Sequence, residues 1–114
     1  VYVNWDSAKE FSVVGFGGKE GEIRIVAEAR LVGGDDGKAG EVAFLIDENY
    51  QGAGVGSYLM SLLIDEGKKR KLEEIYAEVL PDNRPMIKVF EKTGLPLKSK
   101  LDGGVYHVTL SLNG

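Results

Sequence analysis

Cysteine is absent from this 114-residue chain, and histidine occurs once, at His107. No disulfide framework, thiol nucleophile or cysteine-ligated zinc is open to it, and a His-rich metal site is out of reach. The cysteine-free composition fits a reducing cytoplasm, and no metal is expected. No apolar run approaches the roughly eighteen residues needed to cross a bilayer, so no membrane segment is expected. Excess positive charge is missing too: the net charge is −4 and the pI near 5.0. Whole-chain electrostatics therefore give no support to nucleic-acid binding. Internal repeats, low-complexity linkers and an initiating methionine are also lacking. A chain that opens at Val1 directly in a strand-like pattern is expected to be the ordered core or a fragment of something longer. The length suits one domain, residues 1–114, and the 43% hydrophobic content is ordinary for a packed globular one.

What is present changes period halfway along. "VYVNW" and "FSVVGF" are short, β-branched and aromatic. "EIRIVAEARLV" alternates, which predicts one face of Ile23, Ile25, Ala27, Ala29 and Leu31, with Arg24, Glu28 and Arg30 on the other. Glycine-rich charged segments, "GGKEGE" and "GGDDGKAG", read as hairpin loops, and "EVAFLI" is a further strand. From Val55 the apolar residues fall at Val55, Tyr58, Leu59, Leu62 and Leu63, a helical face. It ends in "EGKKRK", whose cations suit the negative end of a helix dipole and read as a solvated terminus. "EIYAEVL" reads as a buried strand. Pro85 and Gly94 bracket a second helix, and "PLKSK", "LDGG" and "VYHVTLSL" close the chain as a hairpin. His107 falls on the more polar face of that last strand. The order predicts an α+β domain.

Between "EVAFLI" and the first helix lies "YQGAGVGS", with Gly52, Gly54 and Gly56 at alternate positions. Glycine is unfavourable where a helix must start propagating, and unblocked N–H groups at a helix N-terminus attract anions. A nucleoside triphosphate would want a lysine after the glycines, and none follows. A dinucleotide would want G-x-G-x-x-G tight behind a strand; here Ser57 stands third, and "DENYQ" separates strand from loop. A third candidate anion is the pyrophosphate of coenzyme A.

"QGAGVG" resembles the Q/R-x-x-G-x-G/A signature of the GNAT superfamily of acetyl-CoA-dependent N-acetyltransferases. The resemblance continues through "VAFLI", the amphipathic helix, "EVLPDN" and "PMIKVFEKTGL", and covers roughly Ile23 to Leu112. "GEVAFLI", "YQGAGVGSYLM" and "EVLPDNRPM" are most similar to the branch of protein lysine acetyltransferases that modify acyl-CoA synthetases. The resemblance implies a mixed, mostly antiparallel sheet with helices packed on it. It also implies that the family's N-terminal strand and first two helices are missing from this chain's front.

It further implies roles. Phe44, Leu45 and Ile46 would offer backbone groups to the pantetheine arm of acetyl-CoA. The signature from Gln51 through Gly52, Ala53, Gly54, Val55, Gly56 and Ser57 would cradle the pyrophosphate. Ala53 stands where the family often has arginine. Asn83 would contact the cofactor arm, although an asparagine before a helix also favours a turn. Many relatives carry a tyrosine that protonates the leaving thiolate; here Phe90 occupies that position, to pack on the cofactor arm or fill the core. Glu41 matches the general base of the protein-acetyltransferase branch. A lysine acceptor of pKa near 10.4 costs about 4.6 kcal/mol to deprotonate at pH 7, so a carboxylate there has work to do. Alternation puts Glu41 with Ala43 and Leu45, opposite Val42, Phe44 and Ile46, and predicts a partly buried carboxylate. The activity implied is direct acetyl transfer to an amine, a protein lysine or a small amine. A regulatory module that binds acetyl-CoA without turnover is the alternative. A homodimer is compatible with the sequence.

Overall fold

The computed structural model describes residues 1–52 and 54–113. Seven strands form one sheet: β1 (Tyr2–Asp6), β2 (Glu10–Gly17), β3 (Arg24–Gly33), β4 (Ala39–Ile46), β5 (Glu74–Val79), β6 (Leu97–Asp102) and β7 (Val105–Ser111). Helix α1 (Val55–Lys69) connects β4 to β5, and α2 (Arg84–Glu91) connects β5 to β6. The spatial order is β1-β2-β3-β4-β5-β7-β6. Every neighbouring pair is antiparallel except β4 with β5. That exception follows from connectivity: hairpin loops return the chain antiparallel, whereas a helical crossover delivers it parallel. No helix precedes β4 among the described residues; the front of the chain is a β-hairpin that extends the sheet.

Both helices lie on one face. Leu59, Met60 and Leu63 of α1 and Phe90 of α2 join Phe11, Val13, Ala29, Leu31, Val42, Ile75, Val108 and Leu110 of the strands in one buried cluster. The buried residues of α1 recur at the helical period, from Gly56 through Leu59, Met60 and Leu63 to Gly67. Strand β5 alternates strictly, with Ile75, Ala77 and Val79 buried and Glu74, Tyr76 and Glu78 exposed. The opposite face of the sheet carries Trp5, Val32, Glu41, Leu45, Tyr76 and His107, all exposed.

One predicted face is corrected. Ile25 was placed with Ala27, Ala29 and Leu31, yet it is 59% exposed while Val26 is 7% exposed. Gly15 pairs with Ala27, but Phe16 pairs with Ile25, so Val26 is an extra residue in β3. Such a bulge turns two consecutive side chains to one side and reverses the alternation beyond it. Gly17 on β2 leaves room beside it: a Cβ there would stand 2.7 Å from the Tyr50 hydroxyl and 3.3 Å from Val26 Cγ2. The solvated reading of "EGKKRK" is corrected in part. Lys68, Lys69 and Lys71 are exposed, but the Arg70 side chain reaches back to the front hairpin, to Asp6 at 2.5 Å and to the Ala8 carbonyl at 3.3 Å.

Candidate functional site

Strands β4 and β5 pair only from Ala39–Glu41 to Glu74–Tyr76 and then part. Beyond Glu41 the β5 side of β4 has no strand partner. The Asp47 N–H donates to the Val26 carbonyl at 2.7 Å, on the β3 side. Main-chain groups alternate in direction along a strand, so those of Leu45 and Ala43 also face β3. Those of Phe44 and Ile46 therefore face the gap. The Ile46 carbonyl accepts a hydrogen bond from Gln51 Nε2 at 3.2 Å. Both main-chain groups of Phe44 and the Ile46 N–H remain for an extended ligand to pair with, as an added strand would.

The gap opens into a cavity of about 540 Å³, walled by the end of β4, the glycine loop with the start of α1, and α2. Phe44, Leu45 and Ile46 line its first wall. Gln51, Gly52, Gly54, Gly56 and Ser57 line the second, and Asn83 stands at the start of the third. Nine of the residues predicted from the sequence are thus gathered in one place.

The three glycines prove to be there for different reasons. Gly52 and Gly54 have φ of +81° and +83°, and nothing lies within 4 Å of a Cβ on either. They are required by the left-handed backbone that brings the chain into α1. Gly56 lies inside the helix, where a Cβ would stand 2.9 Å from Val89 Cγ2 and 3.3 Å from Ile46 Cδ1. It is required by the close approach of α2. Gly54 is the N-cap of α1, with no side-chain cap and no acidic residue in the first turn. The first N–H groups of the helix therefore have no side-chain partner among the described residues and carry the positive end of the dipole into the cavity.

Ala53 lies outside the described residues. Three other predicted residues depart from their expected places. Val55 packs against the core and does not line the cavity. Phe90 is 1% exposed and meets Phe44 edge to face, ring centroids 6.4 Å apart, so it props a wall of the cavity from behind and cannot touch a ligand in it. Glu41 has the predicted facing but not the predicted burial: it is exposed, because the helices cover only the other face of the sheet. It sits at the vertex of the parting, the last β4 residue paired with β5, and does not line the cavity. Asn83 Oδ1 caps α2 by accepting from the Met86 N–H at 3.3 Å, which leaves its amide nitrogen free to donate.

Sequence reasoning passed over the third wall, where Arg84, Lys88 and Lys92 line the cavity beside Met86 and Val89. The signal was the i, i+4, i+8 spacing of the three cations on a helix whose apolar residues had drawn the attention. No cluster of metal-ligating side chains occurs among the described residues.

The Acetyltransferase (GNAT) family model matches residues 2–95. This chain belongs to the GNAT acetyltransferase family. The chain is 38% identical over 71 residues to acetyltransferase Pat of Mycolicibacterium smegmatis, a match covering 61% of this chain and 21% of that protein. It is 32% identical over 72 residues to the spermine/spermidine N(1)-acetyltransferase of Bacillus subtilis, covering 60% and 47% respectively. Among solved structures, the GNAT domain of S. lividans PAT superposes with a TM-score of 0.72 at 30% identity, over 90% of this chain and 61% of that one. The chain therefore spans less than half the length of these two sequence relatives. The mixed seven-stranded sheet with its two helices is the GNAT fold expected from the resemblance.

Proposed function

We propose that this GNAT domain binds acetyl-CoA in the cavity between β4, the glycine loop and α2, and transfers its acetyl group directly to an amine. The observation that carries the proposal is the parting of β4 from β5 beside an uncapped helix N-terminus. An extended amide-bearing arm needs unpaired strand groups, and a pyrophosphate needs unpaired N–H groups; the cavity offers both within one length of chain. The pantetheine arm would run along Phe44 and Ile46, the pyrophosphate would rest on Gly52 to Ser57, and Asn83 would donate to the arm.

The acetyl group would then emerge near the vertex of the parting, where Glu41 stands on the uncovered face. An approaching amine would reach it from that face and lose its proton to Glu41, directly or through water, as nitrogen attacks the acetyl carbon. Breaking the carbon–sulfur bond releases the thiolate. Phe90 has no proton to give, so water would protonate it. The acceptor we propose is a protein lysine, on the similarity to Pat and to the lysine acetyltransferase branch. An open sheet face also leaves room for a macromolecular acceptor.

A second reading, an acetyl-CoA-binding regulatory module, is favoured by the exposure of Glu41 and by the phenylalanine at position 90. Incubating the chain with acetyl-CoA and a panel of protein and small-amine acceptors, while following free thiol, separates the two. Acceptor-dependent thiol release is expected. Binding without release would support the regulatory module, and absence of binding would remove both readings.

A further inference from the structure

The third wall of the cavity is set apart by where its cations stand. Arg84, Lys88 and Lys92 are the only charged side chains lining the cavity, in a chain whose net charge is −4. None takes part in an ion pair among the described residues, a trait most lysines of this chain share, but these three face a cavity that holds no carboxylate among the described residues. At intervals of four, Arg84 and Lys88 of α2 and its C-cap Lys92 fall within one arc and span about 12 Å along the helix axis. Arg84 stands in the first turn, which holds no acidic residue. A cation at that end opposes the helix dipole, a local cost of about 0.3–1 kcal/mol that an anion facing it would reverse.

We propose that Arg84, Lys88 and Lys92 form a second phosphate site of this cavity, which takes the 3′-phosphate of coenzyme A. The inference rests on the coenzyme reading above. The glycine loop can serve the pyrophosphate with backbone N–H groups alone, on the wall opposite α2. The 3′-phosphate is the ligand's other anion, carried on the ribose beyond the pyrophosphate, and it is a near-dianion at pH 7. Side-chain cations on a facing wall are the groups suited to it. Among the described residues, the α2 wall is the cavity's whole complement of charged donors.

The test is a two-by-two titration calorimetry experiment: the chain and its K88Q/K92Q variant, each with coenzyme A and with 3′-dephospho-coenzyme A. Both substitutions are on exposed positions, and circular dichroism checks the fold; single K88Q serves if the double variant unfolds. The unsubstituted chain is expected to bind coenzyme A about tenfold or more tightly than the dephospho form, the scale of one charge-assisted contact. The variant should lose most of that preference while its affinity for the dephospho form stays within about twofold. Equal affinity of the unsubstituted chain for the two ligands overturns the proposal. So does an equal loss for both ligands in the variant, which would place the cations on the pyrophosphate instead. Failure of the unsubstituted chain to bind either ligand overturns the coenzyme reading itself, and this inference with it.

Discussion

At the scale of single residues, the proposed reaction rests on Glu41, and the cavity on two kinds of glycine. Glu41 stands at the vertex of the parting, on the face away from the cavity, so its carboxylate would meet the acceptor and not the coenzyme. E41Q keeps size and hydrogen-bonding atoms but cannot take a proton at neutral pH. Turnover is expected to fall by about 10²–10⁴-fold, the usual range for a lost general base, with coenzyme affinity nearly unchanged. Steady-state rates alongside calorimetry check this, and unaltered turnover removes the assignment. The glycines separate differently. G54A meets open space but forces an alanine to φ near +83°, a cost of about 1–2 kcal/mol. G56A places its methyl against Val89 and Ile46 and should push α2 away from α1. A cost of about 1–3 kcal/mol is expected there, together with weaker coenzyme binding, since α2 is a wall of the cavity. Urea denaturation and ligand titration of the two variants distinguish backbone strain from a displaced wall.

At the scale of elements, the approach to the glycine loop is held by an ion pair that spans two strands. Asp47 follows β4; its carboxylate accepts from Arg24 of β3 at 2.6 Å and from the Asn49 N–H at 2.9 Å, which caps the short 3-10 helix Glu48–Tyr50. The Arg24 guanidinium first, and the Asn49 N–H second, hold the Asp47 carboxyl below its usual value near 3.8. A depressed folded pKa means that the stabilisation is complete above the unfolded value. It is lost only as pH falls through the folded one. The chain should therefore exceed D47N in stability by a constant amount at neutral pH, and the difference should shrink below about pH 3.8. Urea midpoints taken down through the carboxylate range measure it. D47N retains an oxygen for the Asn49 N–H, so the comparison isolates the charge. These same elements show what a sequence discloses. Strand β5 and helix α1 were legible because their periods run unbroken from end to end. The flip at Ile25 was not, since the bulge at Val26 is a relation between β3 and β2 and leaves no mark in β3 alone. Gly52, Gly54 and Gly56 looked like one motif, and only the facing helix gives Gly56 its separate reason. The cations of α2 were in plain view, but which wall they line is decided by how α2 packs on α1.

At the scale of the whole molecule, the front hairpin is tied to the far end of α1 through Arg70. This residue caps the far end of α1, whose near end opens on the cavity. Its guanidinium donates to Asp6 of β1 and, in the preceding turn of the helix, to Glu66 at 2.8 Å. A weaker contact reaches the Glu10 carbonyl at 3.4 Å. The Arg70 side chain is 18% exposed and that of Glu66 13%, so this pair is sheltered from solvent, whereas that of Asp6 is 66% exposed. Near the other end of α1, Tyr58 stacks at a tilt on Tyr2 of β1, ring centroids 5.0 Å apart. Strand β1 is an edge with every residue exposed, and it is held by β2, by Tyr58 and by this one arginine. R70M keeps the length and apolar stem of the side chain but leaves Glu66 and the Ala8 carbonyl without their donor. A loss of about 1–3 kcal/mol is expected, between the small worth of an exposed pair and the large cost of a stranded buried charge. The loss should be directional. Amide exchange is expected to accelerate first in Tyr2–Gly17 and the last turn of α1, while β5 and β7, in the core, stay protected. Coenzyme affinity should change little, because the cavity lies at the opposite end of the helix. Uniform acceleration across the sheet would instead mean that the hairpin is an inseparable part of the core, and that the front of the chain is held by burial more than by Arg70.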